Sequence, residues 1–237
     1  MIIYKFVIVV LLLIILCYHT NIGLICNGEP EYYKYIGKNK GATILILGAT
    51  HGNEQAGYYI IKNLINDLNS YKLLVNNGNI ICIPAVNLCG FKVGSRYNYL
   101  FNDINRNYES NDLINKTILN LIKESDIIID IHEGWGFNKI NNKSMGSTIT
   151  TNNFSRALED KIITNVNTTI VDDNKKFSVN KNNMNKFNGT LFDHAKSKNK
   201  QYILIELTGQ NDIQPLELRV AQGRNIIMTV LNENKII

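Results

Sequence analysis

Residues 42–54 read ATILILGATHGNE: an apolar run from Ala42 to Leu47, a break at Gly48-Ala49-Thr50, then His51-Gly52-Asn53-Glu54. A β-branched and aliphatic run without polar alternation predicts a strand buried on both faces, the habit of a covered parallel sheet. Beyond it, Ile60, Ile61, Leu64, Ile65 and Leu68 recur at helical spacing, so a helix is expected to begin near Asn53. The same alternation continues outward. Buried strands are expected at Ile80–Ile83, Asp126–Ile131 and Tyr202–Leu207, and Glu29–Lys40 reads as a linker or a first edge strand. Amphipathic helices are expected around Leu113–Ile122, over Phe154–Val166, and from Pro215 to about Leu231. Gly134, Gly136 and Gly146 mark a polar rim, and the Asn- and Lys-rich stretch Asn174–Gly189 reads as a long loop. Strands alternating with helices predict an α/β sheet covered by helices, in one domain over residues 29–237.

Composition sets the bounds. Of 237 residues, 45% are hydrophobic and 19% charged, a globular balance that argues against disorder. The net charge of +5 is spread along the chain without a Lys/Arg cluster, which argues against a nucleic-acid partner. At the N-terminus, Phe6 to Cys17 is an unbroken apolar run of 12 residues, closer to a signal-peptide core than to a membrane span. Residues 1–28 are therefore read as a signal peptide or a signal anchor, the latter offering a membrane tether through residues 1–25. A secretory route is expected, with secretion or anchoring left open. Sequons at Asn115, Asn142, Asn153, Asn167 and Asn188 agree with that route without proving it. Cys17 and Cys26 are assigned to the leader, and Cys82 and Cys89 are expected to be free, apolar cysteines near a strand end. No Cys-x-x-Cys pair offers a thiolate metal site.

The chemistry begins at strand ends. His51 and Glu54 stand three apart where a buried strand gives way to a helix, so an imidazole and a carboxylate can share one ion. His132 closes the strand at Ile131, again at a carboxyl end, and is followed by Glu133 and Gly134. Two His and one carboxylate with an open position form a catalytic zinc set. Asp130 shares a strand face with His132 and can support it. Glu206 interrupts the apolar strand YILIEL, where a buried carboxylate requires a partner or a task; beside zinc it can take a proton from water and return it to a leaving amine. In the loop from Arg96, Asp103-Ile104-Asn105-Arg106 groups an acid, an amide and a guanidinium. Arg106 with Asn105 can grip a carboxylate, Arg96 can polarise a scissile carbonyl, and Asp103 can accept the second ring N–H of a zinc-bound His. His194 is read as a residue of a surface helix.

Five elements stand in order: His51-Gly-Asn-Glu54, Pro84…Asn87…Gly90, Asp103-x-Asn105-Arg106-Asn107-Tyr108, Asp130-x-His132, and Glu206 on its strand. From about Ala42 to Leu207 the chain resembles the zinc carboxypeptidase superfamily, including its aspartoacylase and succinylglutamate desuccinylase branch. The resemblance implies a mixed, mostly parallel sheet flanked by helices on both faces. It implies one zinc ion on His51, Glu54 and His132, with Glu206 as general base and then acid. It further implies that Asn105 and Arg106 grip a substrate carboxylate, Arg96 stabilises the oxyanion and Asp103 orients His51. No tyrosine lies between Tyr108 and Tyr202, where carboxypeptidases proper carry a mobile one, and only 31 residues follow Glu206. The expected activity is hydrolysis of an amide bond next to a free carboxylate, with a peptidase favoured over an N-acyl amino acid deacylase. A catalytically inactive secreted or membrane-tethered binding module is the alternative of another class.

Overall fold

The computed structural model of the protein describes residues 8–13, 26, 28–180 and 188–237. One seven-stranded sheet organises it. The strands are β1 (Tyr33–Ile36), β2 (Asn39–Leu47), β3 (Asn77–Ile83), β4 (Ile127–Gly134), β5 (Thr148–Asn152), β6 (Ser178–Val179) and β7 (Gln201–Thr208), in the spatial order β1-β3-β2-β4-β7-β5-β6. The four central strands, β3, β2, β4 and β7, are parallel. β1 is antiparallel to β3, and β5 is antiparallel to β7. This is the mixed, mostly parallel sheet that the resemblance implied.

Among the described residues, helices flank it: α1 (Ala56–Asn69), α2 (Leu88–Val93, at the end of the sheet), α3 (Leu113–Glu124), α4 (Arg156–Asn167), α5 (Leu191–Ser197) and α6 (Leu216–Glu233). Side chains alternate across each strand, and the two faces bury different helices. Ile44, Ile46, Ile129 and Ile203 pack with α1, α4 and α6 in one core. Leu45, Leu47, Ile128 and Leu204 pack with α3 and α5 in the other. Both cores run out at the carboxyl ends of the central strands, where polar residues take over the inward positions.

Several boundaries differ from the sequence expectation, each for a local reason. α1 starts at Ala56 and not near Asn53, because residues 51–54 close a turn in which the Glu54 N–H donates to the His51 carbonyl at 3.1 Å. β4 continues to Gly134, so His132 lies inside the strand. The rim gives way at Thr148 to β5, whose sequence TITTN lacks the apolar signature of its neighbours. The expected loop 174–189 includes the end of a short 3₁₀ turn and the two residues of β6, while its residues 181–187 lie outside those described. Most of the predicted leader, with Cys17, also lies outside them; among the described residues no helix is long and apolar enough to cross a membrane.

The cysteine assignment needs correction. Cys89 is not free: it forms a disulfide with Cys26, across 63 residues. The bond fastens residue 26 to α2, so Cys26 goes with the folded part and not with a detachable leader. Cys82 is buried and free, as expected. Closing a loop of this length is worth about 4 kcal/mol in the chain-entropy account, with delivered values of about 2–5 kcal/mol. Cys89→Ser is therefore expected to lose about 2–4 kcal/mol in urea denaturation. Mass mapping after alkylation of denatured, unreduced protein should find Cys82 labelled and Cys26 and Cys89 protected; label on Cys89 would remove the bond from the account.

Candidate active site

Three parallel strands deliver the site. β2 ends at Leu47 and turns through Ala49, a buried alanine held at a φ of 47°. Such a conformation costs of order 1 kcal/mol or more and persists where surroundings over-determine it. Here the Val86 and Asn87 N–H groups donate to the Gly48 and Ala49 carbonyls at 2.9 and 3.0 Å. Gly52 then lies against the next loop so closely that a Cβ would fall 1.9 Å from the Gly90 carbonyl carbon, leaving room for glycine alone. The result points His51 and Glu54 across the end of β4.

On β4, alternation sends Asp130 and His132 to the α3/α5 side and Glu133 to the other. β4 and β7 are in parallel register with His132 opposite Glu206 and Asp130 opposite Leu204. The His132 ring and the Glu206 carboxylate thus stand side by side on one sheet face. Glu133 faces α1, where it accepts from the Ala56 N–H at 2.6 Å and pairs with Arg219 at 2.6 Å.

His51, Glu54 and His132 converge, each buried and each with a donor atom within 4.8 Å of the others. Glu54 Oε1 lies 2.8 Å from His51 Nδ1, and Oε2 lies 2.8 Å from His132 Nδ1. The two Nδ1 atoms are 3.1 Å apart. Two ring nitrogens and a carboxylate in such contact suit a shared cation: tetrahedral bonds of about 2.0–2.1 Å set ligand nitrogens at about that separation. The second ring nitrogens face outward to carboxylates, as metal-ligating histidines require. His51 Nε2 lies 3.1 Å from Asp103 Oδ1, and His132 Nε2 lies 3.2 Å from Asp130 Oδ1. The donor set therefore fits one divalent metal ion.

Asp103 is itself clamped. Its Oδ2 receives Arg96 Nε and Nη2 at 3.0 and 2.8 Å, while Oδ1 also accepts from the Asn105 N–H at 3.0 Å. Arg96 keeps Nη1 for the metal side, 3.4 Å from Glu54 Oε1. The Asn87 side chain caps α2 through the Gly90 N–H, which explains the Pro84…Asn87…Gly90 element as scaffolding. Asn105 accepts from the Leu191 N–H at 3.1 Å, tying the loop to the start of α5, and the Arg106 Nη1 donates to the Asn105 carbonyl at 2.8 Å.

Charges in this cluster are strongly perturbed. Burial opposes the charge on Glu54, yet the His132 and His51 rings outweigh it and hold the carboxyl well below its usual range. Burial also disfavours a charged His132, but Asp130 and Glu54 carry it well above the ordinary value. Burial pushes Glu206 up to about 8, Glu54 and Asp130 adding repulsion while His132 and Arg96 pull the other way. A cation between the three donors would draw that carboxyl back down.

These residues line a cavity of about 820 Å³, together with Asn105, Arg106 and Glu206. Asp103 and Asp130 stand behind the walls. Four lining residues of consequence escaped sequence reading. Trp135 and Lys143 come from the rim, Gln210 follows β7 and donates to the Glu133 carbonyl at 2.7 Å, and Tyr202 shares a strand face with Glu206. Only Tyr202 carried a signal, its even spacing from Glu206. His194 lies on α5, partly buried and outside the cavity lining.

Residues 40–140 match the family described as succinylglutamate desuccinylase/aspartoacylase catalytic domain. No curated protein matches the chain significantly. Among solved structures, the product-bound cell shape determinant protein Csd4 of Helicobacter pylori superposes with a TM-score of 0.73 at 17% identity, covering 88% of this chain and 56% of that one. The succinylglutamate desuccinylase/aspartoacylase of Rhodobacter sphaeroides reaches 0.58 at 22% identity, over 84% of this chain and 57% of that one. The ectoine utilization protein EutE (DoeB) of Ruegeria pomeroyi gives 0.61 at 17%, over 87% and 61%. The chain spans a little over half the length of the solved structures it matches first. The family match covers less than half of the chain, and the solved structures share its fold. The sequence match ends ahead of β7 and Glu206.

The purified protein is expected to hold about one metal ion per chain, and Glu54→Gln or His132→Ala to lose it, as counted by plasma emission spectrometry. Asp103→Asn should weaken retention about 10–100-fold in a chelator competition.

Proposed function

We propose that the chain is a zinc-dependent hydrolase that cleaves an amide bond next to a free carboxylate, most naturally in a peptide. The observation that carries this reading is the register of β4 and β7, which sets Glu206 beside His132 on the wall of the cavity. When bound to His51, Glu54 and His132, zinc supplies a Lewis acid that acidifies water and polarises a carbonyl. The chain's own groups do the rest. Glu206, a carboxylate once a cation in the site has drawn its raised pKa back down, would take a proton from the attacking water and deliver it to the leaving nitrogen. Arg96, anchored by Asp103, offers Nη1 to the developing oxyanion. Arg106 and Asn105 line the wall where the substrate carboxylate would dock. Trp135, Met145 and Phe192 supply apolar lining that limits water.

The cavity supports a peptide over a small acyl amino acid, because about 820 Å³ is the room of a ligand of drug size. The H. pylori Csd4 structures agree: one is tripeptide-bound, and another is described as a D,L-carboxypeptidase. A deacylase is the second reading, favoured by the family match over residues 40–140. The Cys26–Cys89 bond and the apolar run Phe6–Cys17 support a secretory route, since disulfides persist in oxidising compartments. Cleavage at residue 28 would release Cys26 from the main chain, so the bond favours cleavage before it or a retained anchor.

Zinc-loaded protein and Glu206→Gln would be incubated with pooled peptides and N-acyl amino acids and read by mass spectrometry. Wild type should release products, and the variant should lose about 10²–10⁴-fold in rate with zinc retained. Turnover by Glu206→Gln at the wild-type rate would remove Glu206 from the mechanism. Absence of turnover by zinc-loaded wild type would favour a binding module. Arg106→Ala should lose about 2 kcal/mol in kcat/KM, roughly thirtyfold, and lose nothing on substrates with an esterified C-terminus.

A further inference from the structure

Each histidine of the cluster turns Nδ1 inward and Nε2 toward a carboxylate, but the two carboxylates are held differently. Asp103 is forked by a cation, Arg96. Asp130, which is fully buried, has no Lys or Arg within ion-pair distance among the described residues. Its one hydrogen bond there comes from the Tyr202 hydroxyl, 2.8 Å from Oδ2. Its Oδ1 approaches His132 Nε2 at 3.2 Å, but outside hydrogen-bond geometry, so this contact alone does not fix the carboxylate plane.

Resting on the metal-hydrolase reading, we infer that Tyr202 is a positioning residue that sets His132 through Asp130. The fold builds the arrangement. Tyr202 stands opposite Ile128 in the β4–β7 register, one pleat below the Asp130–Leu204 pair, so its phenol reaches Asp130 along the same face. The ring is held edge-on to Phe192 with centroids 5.5 Å apart, and the side chain is buried. A hydroxyl on a fixed ring occupies Oδ2 and leaves Oδ1 for the imidazole. That choice keeps the proton of His132 on Nε2 and the lone pair on Nδ1, which faces Glu54 and His51. Without the hydroxyl, the carboxylate torsion is broad and Oδ2 loses its donor in a dry site. A neutral donor also preserves the negative charge of Asp130 that a cation would neutralise. Because Tyr202 and Glu206 share one face of β7, a single strand then sets both the orientation of a metal ligand and the proton-carrying carboxylate.

The test is a double-mutant cycle on the full chain, with Zn²⁺ affinity measured by chelator competition for wild type, Tyr202→Phe, Asp130→Asn and the double variant. Tyr202→Phe, which keeps the ring, is expected to bind Zn²⁺ about tenfold more weakly. The double variant should be no weaker than Asp130→Asn alone, because the tyrosine acts through the aspartate. A hydroxyl with a merely structural role would lower the melting temperature of the metal-free protein and leave Zn²⁺ affinity unchanged. Affinity within twofold of wild type in Tyr202→Phe, or losses that add in the double variant, would overturn the inference while the metal centre stands. Wild type that takes up no Zn²⁺ would overturn the metal-centre reading and this inference with it.

Discussion

Glu54 is 2% exposed, with an imidazole on each oxygen and the Glu133 N–H on one of them at 3.1 Å. A carboxylate so far from water is sustained only by opposite charge and donors close at hand. Much of the surrounding architecture exists to hold it there. The turn at 51–54, the left-handed Ala49 and the Gly52–Gly90 contact fix its approach from β2. Gln210 closes from beyond β7 at 3.4 Å. A divalent cation bound there would take up the facing lone pairs of the two Nδ1 atoms, 3.1 Å apart, together with the carboxylate.

The second organising element is the parity of β4. Consecutive residues on a strand face opposite ways, so His132 and Glu133 serve different layers from adjacent positions. His132 joins the cluster over the α3/α5 side. Glu133 reaches the first backbone N–H of α1, an end that favours negative charge, and pairs there with Arg219 of α6. The strand that presents the ring is thereby braced against the helix that follows Glu54. A slip of one residue in register would exchange the two faces and dismantle both arrangements.

The central strands were legible in the sequence because a parallel strand covered on both faces has only one pattern to show, and Ile44–Leu47, Ile127–Ile131 and Tyr202–Leu207 show it. His51, Glu54, His132 and Glu206 were legible because each follows or interrupts such a run at its carboxyl end. Asp103 and Asn105 could be grouped, though not placed, from a loop motif. What stayed hidden depends on distance and not on pattern. β5 is five residues of Thr, Ile and Asn whose strand character comes from pairing with β7. The partner of Cys89 lies 63 residues upstream beside an apolar run that reads as a leader. Tyr202 reads as one more apolar residue of a core strand until register shows its hydroxyl beside Asp130.

The reversed direction of β5 has a consequence for how such a protein can change. The segment between β4 and β5 departs beside His132 and returns at Thr148, which pairs with Glu206, so both its ends are rooted at the same rim of the sheet. It carries Trp135, Lys143 and Met145 to the cavity mouth but supplies none of the three candidate metal ligands. Exchanges at its exposed positions, such as Trp135 and Lys143, can therefore accumulate without disturbing strand order or the buried charges, whereas Gly146 and Ser147 are packed against Thr208 of β7. One side of the cavity mouth can thus vary while the buried cluster of His51, Glu54 and His132 stays fixed.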